Sequence, residues 1–189
     1  MEKELVVFDV ETTGFKATQH EIIQLAYTTL EPKKLEIIDK GSFYFKPKHE
    51  VPMEIQQLTG ITNQILKEKG VDINTMQDVV KSIFHDCIAV GHNVKFDLGF
   101  LAAHFNISPR FFIDTLFMAK IKAPNLKNHK LETVARFAKV DLDNAHNAFY
   151  DTLATAEILQ FFHRNGIDIY EFLNITTKAD YQRITGKKQ

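Results

Sequence analysis

Asp9 and Glu11 stand two residues apart at the end of the apolar run Leu5-Val6-Val7-Phe8. That run reads as a buried central strand. Residues two apart on a strand point to the same face, so the two carboxylates aim together and Val10 aims the other way. Two adjacent acids at the end of a buried strand repel one another and are costly to desolvate. A divalent cation is their simplest partner, because hard cations take carboxylate oxygens. Taken alone, the pattern also fits an acidic strand end that meets solvent. Gly14 follows and frees the backbone for a sharp turn.

Asp97 lies in the stretch Gly91-His92-Asn93-Val94-Lys95-Phe96-Asp97-Leu98-Gly99-Phe100-Leu101. Asn93 is placed to cap a helix, and Asp97 falls about one turn into it beside Phe96, Phe100 and Leu101. Such an acid is either a solvent-facing helix residue or one turned inward on purpose. His146 and Asp151 lie in Asp143-Asn144-Ala145-His146-Asn147-Ala148-Phe149-Tyr150-Asp151. Asp151 occupies the first turns of a helix, where a carboxylate suits the dipole. His146 falls in the preceding loop, free to aim its imidazole toward Asp151 and expected to be the movable member of the set. Together, four carboxylates and a histidine suit phosphodiester chemistry. Mg²⁺ binds through few carboxylates plus substrate phosphates, paired ions stabilise an in-line phosphoryl displacement, and a histidine has the pKa to accept a proton from water. No Cys/His set suits structural zinc, and no glycine-rich phosphate loop is present.

The elements that must position these residues follow from the apolar patterning. Strands are expected at residues 22–30 and 35–45, the latter broken or bent near Gly41, forming an antiparallel meander with the first. Short helices are expected at 53–58 and, capped by Thr62, up to Gly70. Thr75-Met76-Gln77-Asp78 resembles a capping box ahead of Val79, Val80 and Ile83. Short strands at 87–90 and 111–113 alternate with helices starting near 93, at 115–122, 131–138 and 148–164, and with a last short helix near 169–173. Asp114 reads as a cap and nothing more. This order predicts an α/β fold on a mixed central sheet flanked by helices. One domain over residues 1–175 is expected, with a short basic tail over 176–189 carrying Lys178, Arg183, Lys187 and Lys188.

Composition bounds the partners. The 189 residues carry a formal charge of −1, so no global basic field draws in a polyanion. Any nucleic-acid contact must come from a local patch or from metal. Lys120, Lys122, Lys127, His129 and Lys130 fall in an acid-free stretch from Thr115 to Leu131. That stretch is either a solvated face or a contact for phosphates upstream of a cleaved end. The single Cys87 excludes an internal disulfide, sits in an apolar run and reads as an inert buried thiol. No signal peptide or membrane span is evident, so a cytoplasmic protein with no membrane partner is expected.

The stretches Phe8-Asp9-Val10-Glu11-Thr12-Thr13-Gly14, Gly91-His92-Asn93 through Phe96-Asp97 and Phe100-Leu101, and His146-Asn147-Ala148 with Asp151 resemble the three motifs of the DEDDh family of 3′→5′ exonucleases. Within that family the sequence is similar to the proofreading exonuclease domains of bacterial DNA polymerase III. All three occur in the family's order and span most of the chain. The resemblance implies a ribonuclease H-like fold. It implies that Asp9, Glu11, Asp97 and Asp151 bind two Mg²⁺ or Mn²⁺ ions, with Asp9 bridging them and Asp97 acting partly through water. It makes His146 the general base and a nucleoside 5′-monophosphate the product.

The same resemblance places Thr12, Thr13, Gly14 and Phe15 along the pocket for the 3′ nucleotide. Phe15 then stacks on the terminal base, unless it anchors core or loop. Leu58-Thr59-Gly60-Ile61-Thr62 resembles the segment packing on that nucleotide, with Glu54 and Thr59 as polar contacts or, alternatively, as capping residues. Asn93 and Phe96 are further contacts, though capping and core packing also explain them. The expected substrate is single-stranded or 3′-frayed DNA, served by a stand-alone exonuclease or a separable proofreading subunit with a DNA polymerase partner. An exoribonuclease like oligoribonuclease or ribonuclease T is the alternative, and a catalytically inactive nucleic-acid-binding module a more distant one.

Overall fold

The computed structural model describes residues 3–142 and 145–177. Asp143, Asn144 and the basic tail from Lys178 onward lie outside the described residues. The strands are β1 (Leu5–Thr12), β2 (Ile22–Leu30), β3 (Ile37–Tyr44), β4 (Ile88–Gly91), β5 (Phe111–Asp114) and β6 (Asn174–Ile175). The helices are α1 (Met53–Thr59), α2 (Asn63–Lys69), α3 (Gln77–Ile83), α4 (Lys95–Phe105), α5 (Thr115–Lys122), α6 (Leu131–Ala138) and α7 (Ala148–Arg164). The strands form one mixed sheet in the order β3-β2-β1-β4-β5-β6. The β1–β2–β3 meander is antiparallel, β4 and β5 run parallel to β1, and β6 returns antiparallel on β5. The expected α/β architecture is therefore present.

β1 is central, and its alternation sorts the core into two layers. Leu5 and Val7 pack with Met118, Val134, Ile158 and Phe162 of the α5–α6–α7 layer. Val6, Phe8 and Val10 pack with Val80, Leu98, Leu101 and Phe105 on the α3–α4 side. Asp9 and Glu11 continue the parity of Leu5 and Val7, so the face that is aliphatic at the strand's start becomes acidic at its end. α7 lies across β1 and β2, with Ala156 in the layer of Leu5 and Val7 and Ala148 N–H donated to Gln24 Oε1 of β2.

Three local expectations are corrected. β3 is continuous through Gly41, which packs against the Tyr27 ring where a Cβ would come within 2.8 Å of it. Close cross-strand approach, not a break, explains that glycine. The turn before α3 is capped by Asp72, whose carboxylate accepts from Asn74 N–H in a short 3₁₀ turn at Ile73–Met76, and Thr75 caps nothing. α4 starts after Val94, and Asn93 sits in the left-handed region at φ 69° with its N–H donated to Asp114 Oδ1 at 3.0 Å. The two-residue strand β6 was not anticipated, being too short to show periodicity.

Candidate active site

The end of β1 projects past its parallel neighbour. β4 pairs only with Leu5–Val7, so beyond Val7 that flank of β1 carries no strand. Val10 N–H is donated there to Asp97 Oδ1, at 3.1 Å. Asp97 is 3% exposed in the first turn of α4, which identifies it as the inward acid. Gly91 makes this possible, because a Cβ there would lie 3.3 Å from Phe8 O and 2.9 Å from Val94.

Asp151 arrives from the first turns of α7, which Asn147 caps by accepting Phe149 N–H at 3.1 Å. Carboxylate oxygens of Asp9, Glu11 and Asp151 all lie within 4.8 Å of one another. His146 N–H is donated to Asp151 Oδ2 at 3.2 Å, and His146 itself adopts a left-handed backbone at φ 66°. Its ring is half-exposed, with Nε2 3.7 Å from Glu132 Oε1 of α6. All five expected residues thus converge on one end of the sheet.

The electrostatics of this cluster are those of acids lacking a counter-charge. Burial, and then the charge of Asp151, push Asp9 up to about 8. Burial, then Asp9 and Asp151, push Glu11 up to about 9. Asp97 is held well above the ordinary range by burial and by Asp9, against the relief given by Val10 N–H. Burial raises Asp151 to about 6, with His146 opposing it. Among the described residues, Asp151 Oδ1 is buried without a hydrogen-bond partner. An all-oxygen donor set, mutual repulsion and an orphaned buried carboxylate oxygen fit a divalent metal. A cavity of about 580 Å³ opens onto the cluster, lined by Asp9, His146 and Asp151 and by His92, Lys120, Lys130 and Glu132.

The expected substrate contacts divide. Thr12 donates its hydroxyl to Gly14 O at 2.7 Å, and Thr13 Oγ1 accepts Glu21 N–H at 3.0 Å, so both shape the turn. Gly14 lies on the His20 ring, where a Cβ would come within 2.4 Å. Phe15 is 85% exposed and anchors no core. Leu58 and Thr59 line a second groove of about 380 Å³ with Ala145, Asn147 and Tyr150. Thr59 uses its hydroxyl locally, donating to Ile55 O at 2.8 Å and accepting from Ile61 N–H at 3.1 Å. Glu54 is exposed on α1 and lines neither cavity. Asn93 lines the larger cavity, whereas Phe96 packs on Phe100 with ring centroids 5.1 Å apart.

Two residues of the site escaped the sequence reading. Gln24 is buried in β2; its Oε1 accepts Ala148 N–H at 3.2 Å while its Nε2 donates to Ser42 Oγ at 2.9 Å. It ties the start of α7 to the sheet, and its signal was the one amide in Ile22-Ile23-Gln24-Leu25-Ala26. Glu132, beside His146, is a lone acid in the first turn of α6 with no sequence signal of its role.

Comparison with known proteins agrees with this geometry. The exonuclease family model RNase T matches residues 6–159. The chain is 36% identical over 183 residues to the PolC-type DNA polymerase III of Bacillus subtilis (strain 168), covering 92% of the chain and 12% of that protein. It is 35% identical over 164 residues to the PolC-type enzyme of Halalkalibacterium halodurans, covering 84% of the chain and 11% of that protein. The chain therefore spans about a ninth to an eighth of the length of these relatives. The fold is similar to that of zinc-bound E. coli exonuclease I in complex with single-stranded DNA, with a TM-score of 0.76, 17% identity, and 91% of this chain and 43% of that one covered. It is similar also to exonuclease X in complex with 5′-overhanging duplex DNA, with a TM-score of 0.70, 21% identity, and 89% and 96% covered.

Proposed function

The chain belongs to the RNase T family of exonucleases, and from that premise we propose that it removes nucleoside 5′-monophosphates from the 3′ ends of single-stranded or frayed DNA. The observation that carries this reading is the convergence of Asp9, Glu11 and Asp151 within 4.8 Å, beside a buried Asp151 oxygen that has no partner. Asp9, Glu11, Asp97 and Asp151 would hold two Mg²⁺ or Mn²⁺ ions. When bound, such ions supply Lewis-acid stabilisation of the attacking and leaving oxygens of an in-line displacement. His146 takes the proton of the attacking water at a ring nitrogen, and its half-exposed position lets it deliver that proton to solvent. Val10 N–H and His146 N–H hold the Asp97 and Asp151 carboxylates in place. The groove between Leu58-Thr59 and Asn147-Tyr150 takes the terminal nucleotide, and exposed Phe15 stacks on its base.

The PolC-type relatives support DNA as the substrate and a polymerase as a working partner in proofreading. The test uses 5′-labelled DNA and RNA oligomers of equal sequence with Mg²⁺ or Mn²⁺, with products resolved by length. A ladder shortening from the 3′ end, faster on DNA, is the expected result. A ladder on RNA alone would move the assignment to the exoribonuclease branch, and no shortening of either would overturn the enzymatic reading.

A further inference from the structure

The acid-free stretch between Thr115 and Leu131 is sorted by the fold. Lys122 turns away from the acids: its Nζ lies 3.9 Å from Glu171 and 5.4 Å from the Phe172 ring centroid. Lys127 is exposed and lines no cavity described above. Lys120 and Lys130 line the same cavity as Asp9 and Asp151. Among the described residues neither has an ion-pair partner, although Glu132 and Asp151 line that cavity too. Two unpaired ammonium groups beside an acidic centre are arranged for an anion that the protein itself does not provide.

The wall that bears them is fixed. His92, at the end of β4, reaches across to the α5–α6 connection. Its Nε2 lies 2.7 Å from the His129 carbonyl and its Nδ1 3.0 Å from the Thr115 hydroxyl. His129 Nε2 in turn bonds the Ala123 carbonyl at 3.0 Å, and Asn128 Oδ1 accepts from Lys130 N–H at 3.1 Å and from the Thr133 hydroxyl at 2.8 Å. The backbone under Lys130 is therefore set before any ligand arrives, which lowers the ordering cost of binding.

We propose that Lys120 and Lys130 form a binding site for the backbone phosphates immediately 5′ of the scissile one, holding the strand as it enters the acid centre. This assignment rests on the exonuclease reading above. It makes His92 a positioning residue for the wall.

The test compares two substrates with Mn²⁺ present. One is the oligomer dT10, and the other is the 4-nitrophenyl ester of thymidine 5′-monophosphate, which has no upstream phosphate. Lys120→Gln and Lys130→Gln are each expected to lower the ratio of kcat/KM for dT10 to that for the ester by about tenfold, through KM. The slope of log KM for dT10 against log salt should fall by about 0.7 for each lysine removed. In the wild-type protein, one neutral methylphosphonate at the second or third linkage from the 3′ end should raise KM. In the variants it should add little. An unmoved ratio, or methylphosphonates acting equally in wild type and variants, would overturn the lysine assignment alone. Weaker inhibition by thymidine 5′-monophosphate with an unmoved ratio would do the same and place the product there instead. Wild-type protein that turns over neither substrate overturns both this assignment and the exonuclease reading.

Discussion

Asp97 and Asp151 are both buried aspartates in the first turns of helices, and both face the end of β1. Their surroundings differ. Asp97 is held by the sheet itself, through the Val10 N–H that the missing strand pairing leaves free. Asp151 is held by a loop, through the N–H of a residue with left-handed backbone, and its second oxygen has no partner among the described residues. One half of the site, comprising β1 and α4, is therefore rigid for the same reason that the core is rigid. The other half, comprising the α6–α7 side with Glu132 and His146, depends on a short connection and on half-exposed side chains. Cation binding needs fixed oxygens, and a proton acceptor needs room to exchange with solvent. Under the proposed function the rigid half would supply Asp9, Glu11 and Asp97 as cation ligands, and the looser half one further ligand, Asp151, together with the proton acceptor His146.

The largest expected effect tests the rigid half. Asp9→Ala should reduce turnover of a DNA oligomer to background while the circular dichroism spectrum stays native. A wild-type rate would remove Asp9 from the metal site. In the looser half, His146→Ala should lower kcat by about 10²- to 10⁴-fold with metal affinity retained by calorimetry. Loss of metal together with rate would mean that the two halves are not separable.

A third expectation concerns charge. Folded, metal-free protein holds protons on Asp9 and Glu11 up to about 8 and 9, whereas the ordinary values are 3.8 and 4.5. The unfolded chain releases these protons first, so stability should be greatest at the acid end of this window and decline as pH rises toward 9. Thermal melts in EDTA should show that decline, saturating Mg²⁺ should reduce it, and Asp9→Asn should flatten it. A pH-independent melting temperature in EDTA would show that the acids carry no such strain. The smallest effect belongs to Gln24→Ala, which strands Ala148 N–H and loosens α7 from the sheet. It should cost about 1–3 kcal/mol in urea unfolding and weaken metal binding through Asp151. A change confined to stability would show that the α7 half is positioned without Gln24.

The fold was legible where periodicity is long. β1, β2, α6 and α7 fall where their patterns place them. Legibility failed where one residue has two physical uses. Gly41 reads as a break and is a contact with Tyr27, and Asn93 reads as a cap and is a left-handed turn residue. Phe15 had two readings, stacking or anchoring, and its exposure removes the core anchor.

From sequence alone came the residue types, their spacing and the common face of Asp9 and Glu11, because strand parity is local geometry. The chemistry of their residue types joined Asp97, His146 and Asp151 to the same set, and the resemblance to the DEDDh family gave each its expected role. Only the tertiary structure decided that β4 ends short of Val10, that Gln24 fastens α7, that Glu132 lies beside His146, and that Lys120 but not Lys122 enters the acidic cavity. Each of these depends on which segment packs beside which. Contacts between residues many positions apart in the chain leave no periodicity to read, and close packing in three dimensions selects among them.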